Sequence, residues 1–252
     1  MVQPRNVLKN LRVKDFLKVG GSMYDVFTNS AERYALVENF KQLPDANASV
    51  GVARNLDFEI LGTNADIADF SWDTVRGGVK FVTGAADNDQ VIVLPHLDAK
   101  QTAWTGVKFG TENQVVWEAM ITAGDDVATG VLYWAGLKLT NTPVIATDAN
   151  QVFFRFSTDD SDTTFRCISS IAGTDTNADS GVTVTAGSEY KLRIEIDGDR
   201  KAHFFINDKE VEQTAALTND VDFIPYIGIQ ALSAAAEHVI VHYEKISRIL
   251  FE

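Results

Sequence analysis

The stretch 188–211 constrains the fold more than any other part of this sequence. Apolar residues take every second position over 190–196, and polar or charged residues occupy the positions between them. This period of two is that of a β-strand with one buried and one solvated face. Asp197-Gly198 then tolerates the positive φ of a tight turn, and the alternation resumes at 204–206 before a second turn at Asn207-Asp208. The stretch therefore predicts a meander of antiparallel strands.

Similar short apolar runs recur from residue 70 onward, with Asp, Asn, Gly, Ser and Thr between them. The predicted strands are 79–83, 90–94, 105–109, 114–122, 131–139, 152–157, 163–169, 190–197, 202–206, 224–230 and 239–243. Strands at this spacing, without long helical patterns, predict an all-β fold built as a two-sheet antiparallel β-sandwich or jelly roll. The runs 114–122 and 131–139 are apolar on both faces. Each therefore lies centrally under another layer or presents one face to an interface.

The first 65 residues have a different composition and are predicted to form an extended N-terminal arm or small appendage. The sandwich domain is then 66–252. Within the arm, the segment 30–43 is consistent with a helix that Ser30 caps and Pro44 ends. An extended conformation over 34–37 fits the same residues, so both interpretations stay open.

Charge separates the arm from the body. The formal net charge is −13, which argues against binding to nucleic acid or to anionic membranes. Residues 1–20 nevertheless carry five basic side chains against the single acid Asp15. An arm of one sign on a body of the other suggests that the arm contacts a partner, and a solvated terminus is the alternative. The basic residues are Arg5, Lys9, Arg12, Lys14 and Lys18.

Nothing in the sequence indicates a membrane span, a secretion signal or a disulfide. No run approaches the roughly 18 apolar residues of a spanning helix, and the N-terminus lacks the apolar core of a signal peptide. The lone cysteine, Cys167, lies between apolar neighbours and is predicted to be a small buried hydrophobe instead of a reactive thiol. We expect a soluble product that stays where it is made.

Glu195 and Asp197 are the most suggestive pair of carboxylates. Alternate strand positions place both on one face, which is the arrangement that glycosidases use. The turn at Gly198 interrupts the strand, however, and the solvated face of an outer strand explains both acids. We therefore predict no catalytic residue and expect the protein not to be an enzyme.

Metal-binding patterns are equally weak. His238 and His242 would stand about 13 Å apart on a strand, which is too far for one metal ion. The acidic turns 125–126 and 159–162 lack the glycine and the terminal glutamate of a calcium-binding EF-hand loop. We therefore predict neither a metal nor any other cofactor.

Aromatic residues suggest a contact surface. Trp117 and Trp134 lie within apolar strands and are predicted to be packed, although an exposed tryptophan elsewhere would suit a sugar-binding site. Phe153 and Phe205 are opposite in parity to their core-facing neighbours. They are predicted to face outward and to form a subunit interface.

Six segments together resemble a concanavalin A-like (laminin G-like) jelly roll, in particular the one in tailed-bacteriophage virion proteins. The Y-x-L-x-I-x-I strand, a turn and F-F-I-N-D at 204–208, in place of F-x-I-N-G, are general marks of this superfamily. The segments are RGGV (76–79), ADNDQV (86–91), PHLD (95–98), AGLKLT (135–140), YKLRIEI (190–196) and PYIGIQ (225–230). Arg200 departs from the third carboxylate of the related β-glucanase strand.

The resemblance implies a non-catalytic structural protein of a phage capsid, such as a decoration or cement protein. Such proteins usually sit as homotrimers on the shell, so the implied partner is the major capsid protein. The implied location is the virion surface, after assembly in the host cytoplasm. A glycan-binding, lectin-like domain of a tail fibre or virion surface is the alternative, and a β-glucan hydrolase that uses Glu195 is a third hypothesis.

Overall fold

The structure, a computed structural model, describes residues 33–44, 57–95, 102–139 and 148–250. Within these ranges almost all regular structure is β, in two antiparallel sheets of eight strands each. The two sheets pack face to face. The prediction of an all-β, two-sheet antiparallel sandwich is therefore confirmed.

Sheet I contains the central meander of the chain. Its strand order is β14-β13-β12-β7-β16-β4-β3, and β1 pairs with β16 beside this path. The strands are β1 (Arg33–Glu38), β3 (Phe70–Trp72), β4 (Val79–Val82), β7 (Val116–Ala123), β12 (Glu189–Ile196), β13 (Lys201–Ile206), β14 (Lys209–Ala216) and β16 (His238–Ile249).

Sheet II has the order β11-β10-β9-β8-β15-β5-β2, and β6 pairs with β15. Its strands are β2 (Phe58–Leu61), β5 (Gln90–Pro95), β6 (Phe109–Gly110), β8 (Val131–Lys138), β9 (Gln151–Ser157), β10 (Thr164–Ile171), β11 (Thr174–Thr183) and β15 (Asp222–Ala231). The described helical elements are a 3₁₀ turn, Ile67–Asp69, and one short helix, α1 (Ala103–Gly106). No helix in the described ranges is long and apolar enough to cross a membrane.

The core lies between the sheets, where the period-two pattern directs apolar side chains. In β12 and β13 every second residue is buried, in agreement with the predicted meander. The Phe154 and Phe204 rings meet across the two sheets with their centroids 5.1 Å apart. Phe165 and Tyr190 make a second cross-sheet contact at 5.0 Å. Both pairs are edge-to-face, a favoured geometry for aromatic rings.

The sandwich begins earlier in the chain than the predicted arm allows. β1 pairs with the second half of β16 and β2 pairs with β5, so residues 33–38 and 58–61 belong to the sheets. β1 is extended because β4 pairs only with the first residues of β16 and leaves the rest of that edge free. The helical interpretation of 30–43 is therefore wrong for its described part, and the extended one is correct. Residues 1–32, with Arg5, Lys9, Arg12, Lys14 and Lys18, lie outside the described residues.

A second correction concerns the predicted strand 105–109. Residues Ala103–Gly106 form α1 instead, and β6 begins only at Phe109. The Thr102 side chain accepts a hydrogen bond from the backbone N–H of Trp104 and caps this turn. An N-cap of this kind satisfies a backbone donor that the end of a helix leaves free.

We predict that Phe58→Ala lowers the free energy of unfolding by about 3–5 kcal/mol, as for other buried phenylalanines. The ring is 3% exposed and contacts Phe40 and Trp104, at 5.7 and 4.9 Å between centroids. The control Val75→Ala, at a side chain that is 89% exposed, should change stability by less than about 0.5 kcal/mol. Urea unfolding measures both, and equal effects would exclude β2 from the core.

Candidate functional site: a groove on the outer face of sheet II

Sheet II carries a second apolar cluster on the face turned away from sheet I. In β9 the side chain of Phe154 enters the core, so those of Phe153 and Arg155 point to the opposite face. The same alternation in the neighbouring strands brings several large side chains together there. This outer cluster consists of Ile92, Leu94, Trp134, Phe153, Ile168 and Tyr226.

Two glycines make room for the aromatic members of the outer cluster. Gly228 pairs with Trp134 across β15 and β8, and a Cβ atom at Gly228 would lie 2.3 Å from Nε1 of that indole. Gly136 pairs with Phe153, whose Cβ would lie 2.7 Å from an added Cβ. The centroids of the Phe153 and Tyr226 rings are 6.1 Å apart. The rings can therefore lie against the sheet because these two positions have no side chain.

A groove of about 370 Å³ lies over part of the outer cluster. Trp134, Phe153 and Ile168 give it an apolar floor, and each of them is less than a tenth exposed. Amide, guanidinium and carboxylate groups surround this floor. The residues that line this sheet II groove are Gln90, Leu132, Trp134, Gln151, Phe153, Arg155, Asp160, Ile168, Asp175 and Gln230.

A hydrogen-bond relay across three strands fixes the amide of Gln151. The Ser170 hydroxyl donates to the carboxylate of Asp175, so Ser170 Oγ has no second proton to donate. It therefore accepts from Nε2 of Gln151, at 3.1 Å. This assigns the amide orientation and leaves the carbonyl oxygen Oε1 of Gln151 without a partner among the described residues. The amide of Gln151, a residue that lines the groove, is thus held in one orientation with a buried, unpartnered carbonyl oxygen.

A second amide relay lies elsewhere in the groove lining. Gln90 Nε2 donates to Gln230 Oε1 at 2.8 Å, and Gln230 Nε2 donates to Asn88 Oδ1 at 2.9 Å. Both glutamines are partly exposed, so they border the groove instead of forming its floor. Planar amides therefore line the groove at more than one point.

Arg155 is the cation in the groove lining, and two carboxylates hold it. Its guanidinium lies 3.0 Å from Asp160 and 3.2 Å from Asp162. Burial raises the pKa of Asp162 despite the lowering effects of Arg155, of the Ser157 N–H and of Arg166. The guanidinium is therefore fixed in position, with its charge already balanced by acids.

Several buried polar atoms on this face have no hydrogen-bond partner within the described structure. They are Trp134 Nε1, Gln151 Oε1, Arg155 Nε and Tyr226 OH. Burial also raises the pKa of Tyr226 well above its usual value. An unpartnered buried polar group costs about 1–3 kcal/mol. Their concentration on one face therefore marks this face as a candidate ligand site.

The two predicted interface aromatics lie on different sheets. Phe153 is on the outer face of sheet II, but its ring is only 4% exposed because the outer cluster covers it. Phe205 is partly exposed on the outer face of sheet I, where the Arg193 guanidinium stacks 4.1 Å from its ring centroid. The structure therefore does not bring them together, and a subunit interface at either residue stays a prediction.

The carboxylate pair Glu195 and Asp197 lies on sheet I and is occupied by other contacts. Glu195 forms an ion pair with Arg193. Asp197 accepts from the backbone N–H groups of Asp199 and Lys201 and lies 3.1 Å from His203 Nε2. The two acids therefore stabilise a turn and a strand edge, away from the sheet II groove.

Among the described residues, the histidine and cysteine motifs have other contacts. His242 contacts the Thr122 hydroxyl at 2.7 Å, and His238 lies 3.8 Å from Asp125. Across the described ranges, no group of three or more His, Cys, Asp or Glu side chains is placed to hold a metal ion. Cys167 is buried in the core, where desolvation raises its pKa, as expected for a structural thiol.

The polar residues of the groove were not predicted from the sequence. Gln151, Ser170 and Asp175 come from three strands, and nothing in their local sequence marks them as partners. Trp134 is packed as predicted, at 2% exposure, but against the outer face and not in the main core. The one sequence feature that pointed to the groove was the apolar pattern on both faces of 131–139. It indicated that one face of β8 lies under another layer or at an interface.

No protein family and no characterised protein matches the chain in sequence. Solved structures do share its fold. A Bacillus licheniformis β-glucanase is 9% identical with a TM-score of 0.55, covering 84% of this chain and 97% of its own. Alginate lyase A1-II′, of polysaccharide lyase family 7, is 15% identical with a TM-score of 0.55, and the match covers 86% of this chain and 95% of the lyase. A protein of unknown function from Shewanella oneidensis MR-1 is 10% identical with a TM-score of 0.56, covering 92% and 95%.

These likenesses establish a jelly-roll sandwich fold that glycan-active proteins share. They also correct the expectation that the protein is not an enzyme. A β-glucanase, an alginate lyase and a Mycobacterium fortuitum glycosyl hydrolase family protein all have this fold. The fold class therefore provides no ground for excluding catalysis.

We predict that His203 stabilises the protein at acidic pH and loses this effect as the pH rises. Burial lowers the pKa of its ring, but hydrogen bonds to Glu210 and Asp197 outweigh burial, and the net pKa is raised. Relative to His203→Gln, the wild type should be more stable below the ordinary histidine pKa of about 6.5. This advantage should disappear as the pH passes the raised pKa of the folded state.

His238 provides a matched control with the opposite sign. Burial lowers the pKa of its ring, Lys80 lowers it further, and Asp125 only partly compensates. Relative to His238→Gln, the wild type should therefore gain stability as the pH rises. Urea unfolding at several pH values between about 5 and 9 measures both differences. A His203 contribution that grows with pH would contradict the proposed ion pairs.

Proposed function

We propose that this protein binds a carbohydrate in the sheet II groove. The observation that carries the proposal is the Gln151 amide, which a relay of hydrogen bonds holds with its carbonyl oxygen unpartnered beside an apolar floor. Ligand sites typically combine an apolar surface with a few fixed polar groups that set orientation. A groove of about 370 Å³ lies within the usual range of about 300–1,000 Å³ for small-molecule sites.

Sugars suit this combination of groups. The C–H face of a pyranose ring is apolar and covers an apolar floor such as Trp134 and Ile168. The hydroxyl groups around the ring both donate and accept, as do the planar amides of Gln90, Gln151 and Gln230. The fold is shared with proteins that are named a β-glucanase and an alginate lyase, which supports a polysaccharide as the ligand.

Asp160 and Asp175 also line the groove. Carboxylates are the groups with which glycosidases protonate a leaving group and attack a sugar. Polysaccharides that bind should therefore also be tested for cleavage, by measuring whether new reducing ends appear.

A second candidate function rests on charge. The basic arm, residues 1–20, is attached to a chain with a net charge of −13. Together with the resemblance to phage virion proteins, this asymmetry supports attachment of the arm to a capsid shell. The partner would then be the major capsid protein, the assembly a homotrimer and the location the virion surface. Carbohydrate binding by the exposed sandwich is compatible with such a location.

We predict that Gln151→Leu strongly weakens carbohydrate binding without unfolding the protein. The change removes the preoriented acceptor and keeps a side chain of similar size. Losing one such hydrogen bond should weaken affinity about 10-fold or more. Stability should fall by no more than about 1 kcal/mol, because the lost bond to Ser170 is offset by removal of an unpartnered buried oxygen.

Gln213→Leu is the matched control, because Gln213 lies on the exposed strand β14 of sheet I. A glycan array with neutral and acidic oligosaccharides identifies the ligand, and calorimetric titration then compares the variants. Equal affinities for wild type and Gln151→Leu would place the site elsewhere.

For the arm, we predict that changing Arg5, Lys9, Arg12, Lys14 and Lys18 together to Gln prevents binding to capsid shells. The thermal unfolding of the sandwich should stay unchanged if these side chains serve attachment alone. Co-sedimentation with undecorated shells, at low and high salt, measures the effect. Undiminished decoration would remove the arm from the interface.

A further inference from the structure

We infer that the sheet II groove selects glycans without acid groups and rejects polyuronates and sulfated chains. This inference rests on the proposed carbohydrate function and specifies its ligand class. It follows from the charges on the outer face of sheet II. An acidic polysaccharide needs unneutralised cations along its path, and the described face does not offer them.

Each basic side chain that the structure describes on this face is already paired with an acid. Arg155 lies 3.0 Å from Asp160 and 3.2 Å from Asp162. Arg166 lies 3.2 Å from Asp179 and also contacts Asp162. In the third pair, the buried Lys138 and Asp148 are 3.9 Å apart.

Acids also outnumber bases on this face. Asp160 and Asp175 line the groove together with the single cation Arg155. Within the described residues Asp175 has no basic partner, and it accepts a hydrogen bond from the Ser170 hydroxyl instead. A carboxylate-bearing ligand would therefore meet like charges at close range, and the net charge of −13 adds a longer-range repulsion. Hydroxyl groups meet no such barrier.

The charge pattern of the groove predicts a different ligand class from the one in the name of a protein that shares the fold. An alginate lyase has the same sandwich, and alginate is a polymer of uronic acids. Proteins that share this fold therefore need not bind the same class of polysaccharide. In this groove, the acids paired with Arg155 among the described residues determine which class of glycan can bind. We expect the groove to accept glucans, mannans or amino-sugar chains instead.

Asp160 gives the most direct test, because it lines the groove, is half-exposed and neutralises Arg155. Asp160→Asn should raise the affinity for an alginate-derived hexauronate about tenfold at low salt and leave the affinity for a neutral hexasaccharide within about threefold. The gain should shrink at high salt, since exposed charges are screened. Asp159→Asn makes the same charge change in the adjacent, exposed residue, which does not line the groove. This control should alter either affinity less than twofold.

The experiment uses the full chain, a panel of neutral, amino-sugar and uronate hexasaccharides, and Gln151→Leu as the groove-negative variant. Binding of uncharged or amino-sugar chains that is lost in Gln151→Leu, without uronate binding, supports the inference. Uronate binding that is also lost in Gln151→Leu overturns the inference but leaves the proposed function intact. Failure of the whole panel to bind overturns both.

Discussion

The register between β8 and its two neighbours determines both the core and the groove. It pairs Ala135 with Phe154 on the inner face and Trp134 with Arg155 on the outer face. On the other side it sets Gly228 opposite Trp134, where the indole needs the space. A shift by one residue would exchange the two faces of β8. Because both faces are largely apolar, hydrophobicity alone does not fix this register, and the small residues at the pairing positions help to do so.

The two outer faces of the sandwich treat buried polar groups differently. On sheet I, Glu118 and Lys245 are almost fully buried but form an ion pair at 2.8 Å, and Tyr243 donates to the same carboxylate at 2.8 Å. Arg193 adds a contact to Glu118 at 3.9 Å. Such a network offsets the cost of burying charge only when its members are paired. On sheet II the corresponding layer leaves Trp134 Nε1, Tyr226 OH and Gln151 Oε1 without a hydrogen-bond partner among the described residues. On sheet I most of these groups are paired, although Arg193 Nε also lacks a hydrogen-bond partner among the described residues. On sheet II a larger share of the described groups is unpartnered.

Local pattern predicted the strands wherever one face of a strand is buried. The alternation over 190–196 and at 204–206 reappears directly in the burial of β12 and β13. The same method left β1 undecided between helix and strand, since its six residues are all partly exposed and show no alternation. That strand exists because β16 is longer than β4 and offers a free edge. The sheet II groove could not be predicted from local sequence pattern either. Its residues Gln151, Ser170 and Asp175 become neighbours only through the pairing of β9, β10 and β11.

The unpartnered polar groups of the sheet II groove lower the stability of the protein. Each buried polar atom without a partner costs stability, and substitution by an apolar residue of similar size removes that cost. Arg155 is the clearest case: two carboxylates hold its guanidinium, yet its Nε remains unsatisfied. A purely structural sheet would gain from an apolar side chain at this position, beside Trp134. Residues that keep such a cost are typical of sites where function competes with stability. The unpartnered groups of the outer face of sheet II are therefore an argument for the binding surface proposed there.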